Sequence, residues 1–434
     1  MAAPRVLIDG YNLSMKHGTG IKTYTGLLDQ ALTSLGCETS ILYGHPIPKG
    51  ADPLLREVAF HEEQNLRDRT PFARYMRHAD IWRRGWANDA PEIAAVPDTD
   101  VVVMPEAQRF QTRAVNGSRV YEVAWRRSWS FGKYLDITLP ETVDAVHLTF
   151  PIPIRVKGPG KPKKIVTIHD LIPLRLPYTT LDDKNELLRR HRVAVAEADL
   201  VFTVSEHSKA DIIKLLDVPA DKIVVSEQPS RFKPLRGPEM RDQAKVLRRL
   251  ELSPQQYVLF VGAIEPKKNL GRLLRAYVEA DTDVPLVVAG PRAWMWEEEI
   301  GWLLNATDPA ITRKVRFLNH VSVEDLRYLY SAAMALVFPS LYEGYGLPLV
   351  EAMAFGLPCL TSKVSSMPEV CGDAALYVDP FDVREMREKI ERLVGDKALR
   401  EYLSDRALQR AQQLTPAHFA EQVAEGYRRI GLLD

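Results

Sequence analysis

The stretch FPSLYEGYGLPLVEAMAFGLPCLTS, from Phe338 to Ser362, decides how the chain is read. An apolar run ends at Phe338, a loop carries Glu343, Gly344, Tyr345 and Gly346, and Pro348 then opens a helix. Proline at a first helical position gives up only an amide hydrogen that has no helical partner. The free amides of such a turn create positive potential, suited to a phosphate or to sugar oxygens. The glycines let a ligand come close to the backbone. Glu351 follows Glu343 by eight positions, so one carboxylate falls on the loop and one at the helix start, on the same side of the sheet edge. A carboxylate accepts two hydrogen bonds from a vicinal diol, which makes ribose or hexose hydroxyls natural partners. The plainer alternative is that Glu351 complements the helix dipole and Glu343 is solvated.

Outward from this stretch, short β-branched runs alternate with amphipathic segments, the pattern of a parallel sheet covered by helices. The first half predicts strands at Arg5–Asp9, Glu38–Tyr43, Val101–Met104, Ala145–Leu148, Lys164–Ile168 and Leu200–Val204. The second half predicts them at Tyr257–Val261, Leu286–Ala289, Val315–Leu318, Ala335–Phe338, Pro358–Thr361 and Ala375–Val378. A helix is predicted over Asn269–Ala280, with Leu270, Leu273, Leu274 and Tyr277 on one face. Two such series imply two doubly wound domains. The boundary is set in Glu227–Gly237, a polar stretch with Pro229 and Pro234 inside it and Pro238 just after it.

Composition narrows the function classes. The chain has 434 residues, 46% of them hydrophobic and 26% charged, as in an ordinary globular protein. Its 57 basic and 57 acidic side chains balance, which argues against a general nucleic-acid binder. No apolar run reaches the roughly 18–20 residues of a membrane-spanning helix. The opening MAAPRVLIDGYNL enters a strand-like run with no charged leader. Three scattered cysteines (Cys37, Cys359, Cys371) suit neither a disulfide framework nor structural zinc, and point to a reducing cytoplasm.

Other motifs cluster at strand ends. HGTGIKTY places Gly18 and Gly20 between the first strand and a helix, but the third glycine of a dinucleotide fingerprint is missing. His169 and Asp170 end KKIVTIHD at the edge where open α/β sheets bind ligands; a capping or packing histidine is the other reading of His169. Ser205 reads as a helix N-cap. Asp98-Thr99-Asp100 and Asp281-Thr282-Asp283 each precede an apolar strand and read as turns, so no metal site is expected there. RYMRHADIWRRGW (Arg74–Trp86) and YEVAWRRSWSFGKY (Tyr121–Tyr134) mix arginine with aromatics in an irregular region spanning 45–145. They read either as arginine stems covering aromatic packing or as an acceptor-binding or membrane-surface patch.

EGYGLPLVEAMAFGLP resembles the signature of the retaining glycosyltransferases of family 4, with Tyr345 at the usual phenylalanine. The resemblance extends through VGAIEPKKNLGRLLRAY, HVSVEDLRYLYSAAMALVFPS and SSMPEVCGDAALYVDP, and in the first half through GTGIKTYTGLL, VTIHDLIPL and FTVSEHSKADI. It implies the GT-B fold: two doubly wound, Rossmann-like domains facing each other across a cleft. Residues 1–226 would form the acceptor-binding domain and 238–415 the nucleotide-sugar-binding domain. The helix at 416–434 would pack back towards the first.

The resemblance also implies the roles. Glu351 would accept the ribose hydroxyls, and Glu343 would face the donor sugar. The amides of Gly344, Tyr345 and Gly346, with Gly18 and Gly20 across the cleft, would meet sugar and diphosphate. Lys268 would pair with the diphosphate, with Lys267 beside it, and His169 would approach the sugar. Relatives often carry a further arginine where this chain has Ala263. The implied enzyme is retaining and metal-independent, needing no cofactor beyond the nucleotide sugar. The EPKKN variety is similar to bacterial mannosyltransferases of surface-polysaccharide assembly, which implies GDP-mannose as donor and a saccharide or lipid-linked glycan as acceptor. Rhamnosyl or glucosyl transfer from a dTDP- or UDP-sugar, and a non-catalytic GT-B partner subunit, are the alternatives. The implied location is the cytoplasm, with peripheral contact to the inner membrane as one option.

Overall fold

The computed structural model describes residues 3–15, 20–47, 52–61, 70–96, 112–157, 160–306, 308, 311, 313–319 and 321–434. In chain order its strands are β1 (Arg5–Asp9), β2 (Glu38–Tyr43), β3 (Ile93–Ala95), β4 (Arg113–Gly117), β5 (Leu135–Thr138), β6 (Ala145–Leu148), β7 (Ile154–Lys157) and β8 (Lys163–Thr167). There follow β9 (Leu200–Thr203), β10 (Ile223–Val225), β11 (Val258–Val261), β12 (Leu286–Ala289), β13 (Val315–Leu318), β14 (Ala335–Phe338), β15 (Cys359–Ser362) and β16 (Ala375–Val378). They form one sheet in the order β10-β9-β8-β6-β1-β2-β4-β3, another in the order β13-β12-β11-β14-β15-β16, and a two-stranded ribbon of β5 and β7. Every pairing is parallel except that of β3 with β4. This is the α/β class of two doubly wound sheets that the sequence predicts.

The second sheet follows from its composition. Strands β11, β12 and β14 read VLFV, LVVA and ALVF, and all their residues are buried. Helices on both faces of a parallel sheet require such unbroken apolar runs. The helix Leu270–Glu279 buries Leu270, Leu273, Leu274 and Tyr277 against it. In the first half, β3, β4, β5, β7 and β10 were not anticipated. The region around 45–145, read as irregular, also holds the helices Pro53–His61, Pro71–Ala87 and Val120–Phe131. The expected strand Val101–Met104, the triplet Asp98-Thr99-Asp100 and Gly18 lie outside the described residues.

Residues 226–238 join the two sheets without a regular element. The last helix, Pro416–Arg429, lies on the first sheet. Phe419 meets Tyr24 edge-on at 5.7 Å, and the Tyr427 hydroxyl is 3.0 Å from His147 Nδ1. Gly426 permits the approach, because a Cβ there would stand 2.4 Å from the Phe202 ring. In both sheets the order of the parallel strands reverses once, between β1 and β6 and between β11 and β14. At such switch points successive loops diverge and leave a crevice outside the carboxyl edge.

Candidate active site

Two loops flank the crevice between β11 and β14. After β11, Pro266–Lys268 forms a single 3-10 turn, closed by Asn269 in the left-handed region at φ 60°. The Asn269 side-chain amide donates to the carbonyls of Pro339 (3.0 Å) and Pro380 (2.7 Å), which ties the lysine turn to the loop after β14. There Lys268 Nζ donates to Glu343 Oε1 at 2.6 Å and lies 5.0 Å from the centre of the Phe338 ring. Lys267 Nζ stands 3.4 Å from Glu265 Oε1. The Glu343 carbonyl accepts from Ser365 and Ser366, so serines hold the backbone of the loop and leave the carboxylate to the lysines.

The electrostatics is that of a dense, partly dry cluster. Burial favours the neutral acid of Glu343, but the ammoniums of Lys268 and Lys267 outweigh it and hold the carboxyl below its usual range. Burial would lower Lys267; instead the carboxylates of Glu343, Glu265 and Asp170 keep it above the ordinary lysine value. Burial pushes Glu265 and Asp170 upward. The main-chain amides of Gly344, Tyr345 and Gly346 donate to no group among the described residues, so they remain free for an acceptor. The helix they precede runs Leu347–Met353, with Pro348 second in it and Glu351 in its second turn rather than its first.

The first sheet meets this loop directly. The Gly344 carbonyl accepts from Ser205 Oγ at 2.7 Å and Ser208 Oγ at 3.1 Å. Ser205 also caps its helix by accepting from the Ser208 amide, as its position after β9 predicts. A Cβ on Gly344 would stand 2.6 Å from the His169 carbonyl oxygen and 2.9 Å from Asp170 Cβ, so glycine is what lets the two halves touch. Gly346 adopts φ 107°, which side chains avoid. Gly20 opens the helix Gly20–Ser34, and a Cβ there would be 3.2 Å from Leu347 Cδ1, across the same cleft.

His169 follows β8. Its Nε2 donates to the Thr149 carbonyl at 2.9 Å, which leaves Nδ1 as the acceptor nitrogen of a neutral ring. Burial depresses its pKa to about 4. Thr149 in turn donates through Oγ1 to Asp9 (2.8 Å), so the ends of β1, β6 and β8 are cross-tied at the first switch point. Burial raises Asp9 to about 6.

Glu351 stands apart from the lysines. Its Oε1 is 2.7 Å from Arg231 Nε, and burial pushes its carboxyl upward in spite of that cation. Arg231 comes from the segment that joins the two sheets, read in the sequence only as a boundary. It does not fill the place left by Ala263, since its partner is Glu351. Glu265 and Arg231 are thus the additions the structure makes, while Asp170, read with His169 at a strand end, joins the lysine cluster. Glu265 stands in the quoted EPKKN, so a buried acid beside two lysines was the available signal; Arg231 offered none. Among the described residues no group of three or more His, Cys, Asp or Glu is placed to hold a metal, and all three cysteines are buried and free.

Two doubly wound sheets, meeting carboxyl edge to carboxyl edge over a lysine–glutamate crevice, define a GT-B protein. Residues 243–410 match the family model of the glycosyl transferases group 1, and residues 93–227 match that of glycosyltransferase family 4. The chain is 36% identical over 277 residues to the O-antigen chain mannosyltransferase B of Escherichia coli, covering 62% of this chain and 71% of that protein. It is 27% identical over 421 residues to an MMP alpha-(1->4)-mannosyltransferase of Mycolicibacterium hassiacum, covering 92% of each. Its fold is similar to sucrose-phosphate synthase of Thermosynechococcus elongatus, with a TM-score of 0.66 at 16% identity over 99% of both chains. The Anabaena protein HepE in complex with UDP-glucose gives 0.60 at 15%, over 98% of this chain and 99% of that one. The chain belongs to the group 1 glycosyltransferases of family 4.

Proposed function

We propose that the chain transfers mannose from GDP-mannose, with retention of configuration and without a metal, to a saccharide hydroxyl in surface-polysaccharide assembly. The observation that carries this is the Lys268–Glu343 pair beside three free amides at the β11/β14 switch point. Breaking the bond between sugar and diphosphate leaves negative charge on the phosphate, which ammoniums and oriented amides stabilise where that charge develops. Lys268 and Lys267 supply the cations, and the amides of Gly344–Gly346 the dipoles. Glu343, kept ionised by the lysines, faces the positive charge that grows at the sugar. Glu351 takes the ribose hydroxyls. Neutral His169 offers an acceptor nitrogen to a sugar hydroxyl. Contact between Gly344 and the first sheet excludes water that would otherwise take the sugar. The mannosyl specificity rests on the named relatives, and a glycan, free or lipid-linked, is the acceptor.

A panel of GDP-, UDP-, dTDP- and ADP-sugars, incubated with the protein and a mannosyl oligosaccharide acceptor in excess chelator, tests this. Release of GDP from GDP-mannose, with the α-anomer in the product, is the expected result. Turnover that stops on chelation and returns with magnesium or manganese would overturn the metal-independent mechanism. Turnover of another sugar nucleotide alone would overturn the donor.

A further inference from the structure

The helix Pro71–Ala87 is built inside out. Phe72, Tyr75, Met76, Ala79, Trp82 and Trp86 follow one another at helical spacing and fall within one stripe. That stripe faces outward: Phe72, Tyr75, Met76, Trp82 and Trp86 are 72, 69, 51, 50 and 65% exposed. The opposite face is the buried one. Ile81 and Gly85 pack inward, and Arg127 of the helix Val120–Phe131 donates to the carbonyls of Gly85 and Trp86. The neighbouring helix continues the surface. Its Phe131 lies 6.0 Å from Trp82, and its Trp129 is 64% exposed. No described residue covers this face.

We propose that this face docks on an anionic lipid surface, with the helix lying in the plane of the headgroups. Charge chooses the occupant. Residues 71–89 hold four arginines against two aspartates, Asp80 and Asp89, a local excess of two, in a chain whose net charge is zero. Exposed Arg74, and Lys133 beyond the second helix, rim the aromatics. Tryptophan and tyrosine beside arginine suit the headgroup level, where the ring is half apolar and the cation meets lipid phosphate. A second copy would set two basic faces against each other. A sugar would need polar groups converging on the rings, yet Arg83, on the stripe itself, is engaged by Asp80 and Asp89 at 3.3 Å each. The stripe extends roughly 21 Å along the helix axis, at about 1.5 Å per residue. No described helix is long and apolar enough to cross a membrane, which fits a helix that lies on the surface. The inference is independent of the donor site, and its failure leaves the transfer reading untouched.

The full chain, mixed with phosphatidylcholine vesicles with or without phosphatidylglycerol, tests it by co-sedimentation and tryptophan emission. The expected result is binding to the anionic vesicles alone, with a blue shift, and release by salt. The double variant Trp82→Ser/Trp86→Ser should lose more than tenfold in partitioning. Arg74→Gln, a surface change that should leave the melting temperature unaltered, should lose roughly fivefold, the usual worth of one basic charge at such a surface. Equal binding to neutral vesicles, no binding, or variants that bind as wild type would overturn the proposal. So would a dimer in which Trp82 and Trp86 are shielded from a soluble quencher.

Discussion

Arg231→Met removes the cation that faces the buried carboxylate of Glu351 while keeping most of the stem that covers Phe232, whose ring centre is 4.8 Å from the guanidinium. Glu351 keeps only 5% of its side-chain surface in water, and Arg231 keeps 32%. Breaking a buried pair by removing one partner typically costs about 3–5 kcal/mol. Arg231 is partly wet, so the lower end applies, about 3 kcal/mol. For a domain of this size each kcal/mol moves the midpoint by about 2–4 °C, which gives a fall of about 6–12 °C. The sign of the pH dependence is fixed. Burial already raises the Glu351 carboxyl above its ordinary 4.5, so the folded state prefers the acid form. Its favourable contribution is complete below the unfolded value and is lost as pH rises through the folded one. Losing Arg231 raises the folded value further, so the variant's deficit should be full at pH 8 and smaller at pH 5. Scanning calorimetry of wild type, Arg231→Met, Glu351→Gln and the double variant measures it. The arginine change should cost much less when Glu351→Gln is already present. A melting temperature unchanged at pH 8, or a deficit equal at pH 5 and in that background, would refute the reasoning.

Gly344→Ala places a Cβ 2.6 Å from the His169 carbonyl oxygen, so the loop must shift. Initial transfer rates should fall at least tenfold, and GDP affinity by calorimetry should fall with them, because the same loop's amides face the diphosphate. His147, His169 and His191 are held neutral by burial, with pKa values of about 3, 4 and 4. Because the unfolded chain binds those protons first, melting temperature should fall as pH drops from about 6.5 towards 4, and His191→Gln should flatten the slope. A melting temperature level across that range would contradict it.

The sheets were legible where burial on both faces demanded unbroken apolar runs, as in β11, β12 and β14. Strands such as β4 (RAVNG), β5 (LDIT) and β7 (IRVK) mix polar with apolar residues because they lie toward an edge or in the small ribbon, and their pattern blends with that of loops. The site was legible in its local parts: Glu343, Gly344–Gly346 and the lysine pair lie in two short motifs. What local reading missed is long-range. Arg231 meets Glu351 across 120 positions, and nothing in PSRFKP marks it. Ser205 was readable as a cap, but its second bond, to the Gly344 carbonyl 139 positions away, required the two sheets to meet. The outward face of Pro71–Ala87 was open for a related reason, since helical periodicity reveals a stripe without saying which way it points.

Calorimetric titration of GDP into wild type, Lys268→Met and Glu343→Ala bears on the reading of the β11/β14 crevice as the diphosphate site. Wild type should bind GDP saturably. Lys268→Met should bind it roughly tenfold to hundredfold more weakly, the usual worth of about 1.5–3 kcal/mol for a charged hydrogen bond. Glu343→Ala, which releases Lys268 from its 2.6 Å partner, should bind GDP at least as tightly as wild type. Absence of saturable binding to wild type, or wild-type affinity in Lys268→Met, would contradict the placement of the donor.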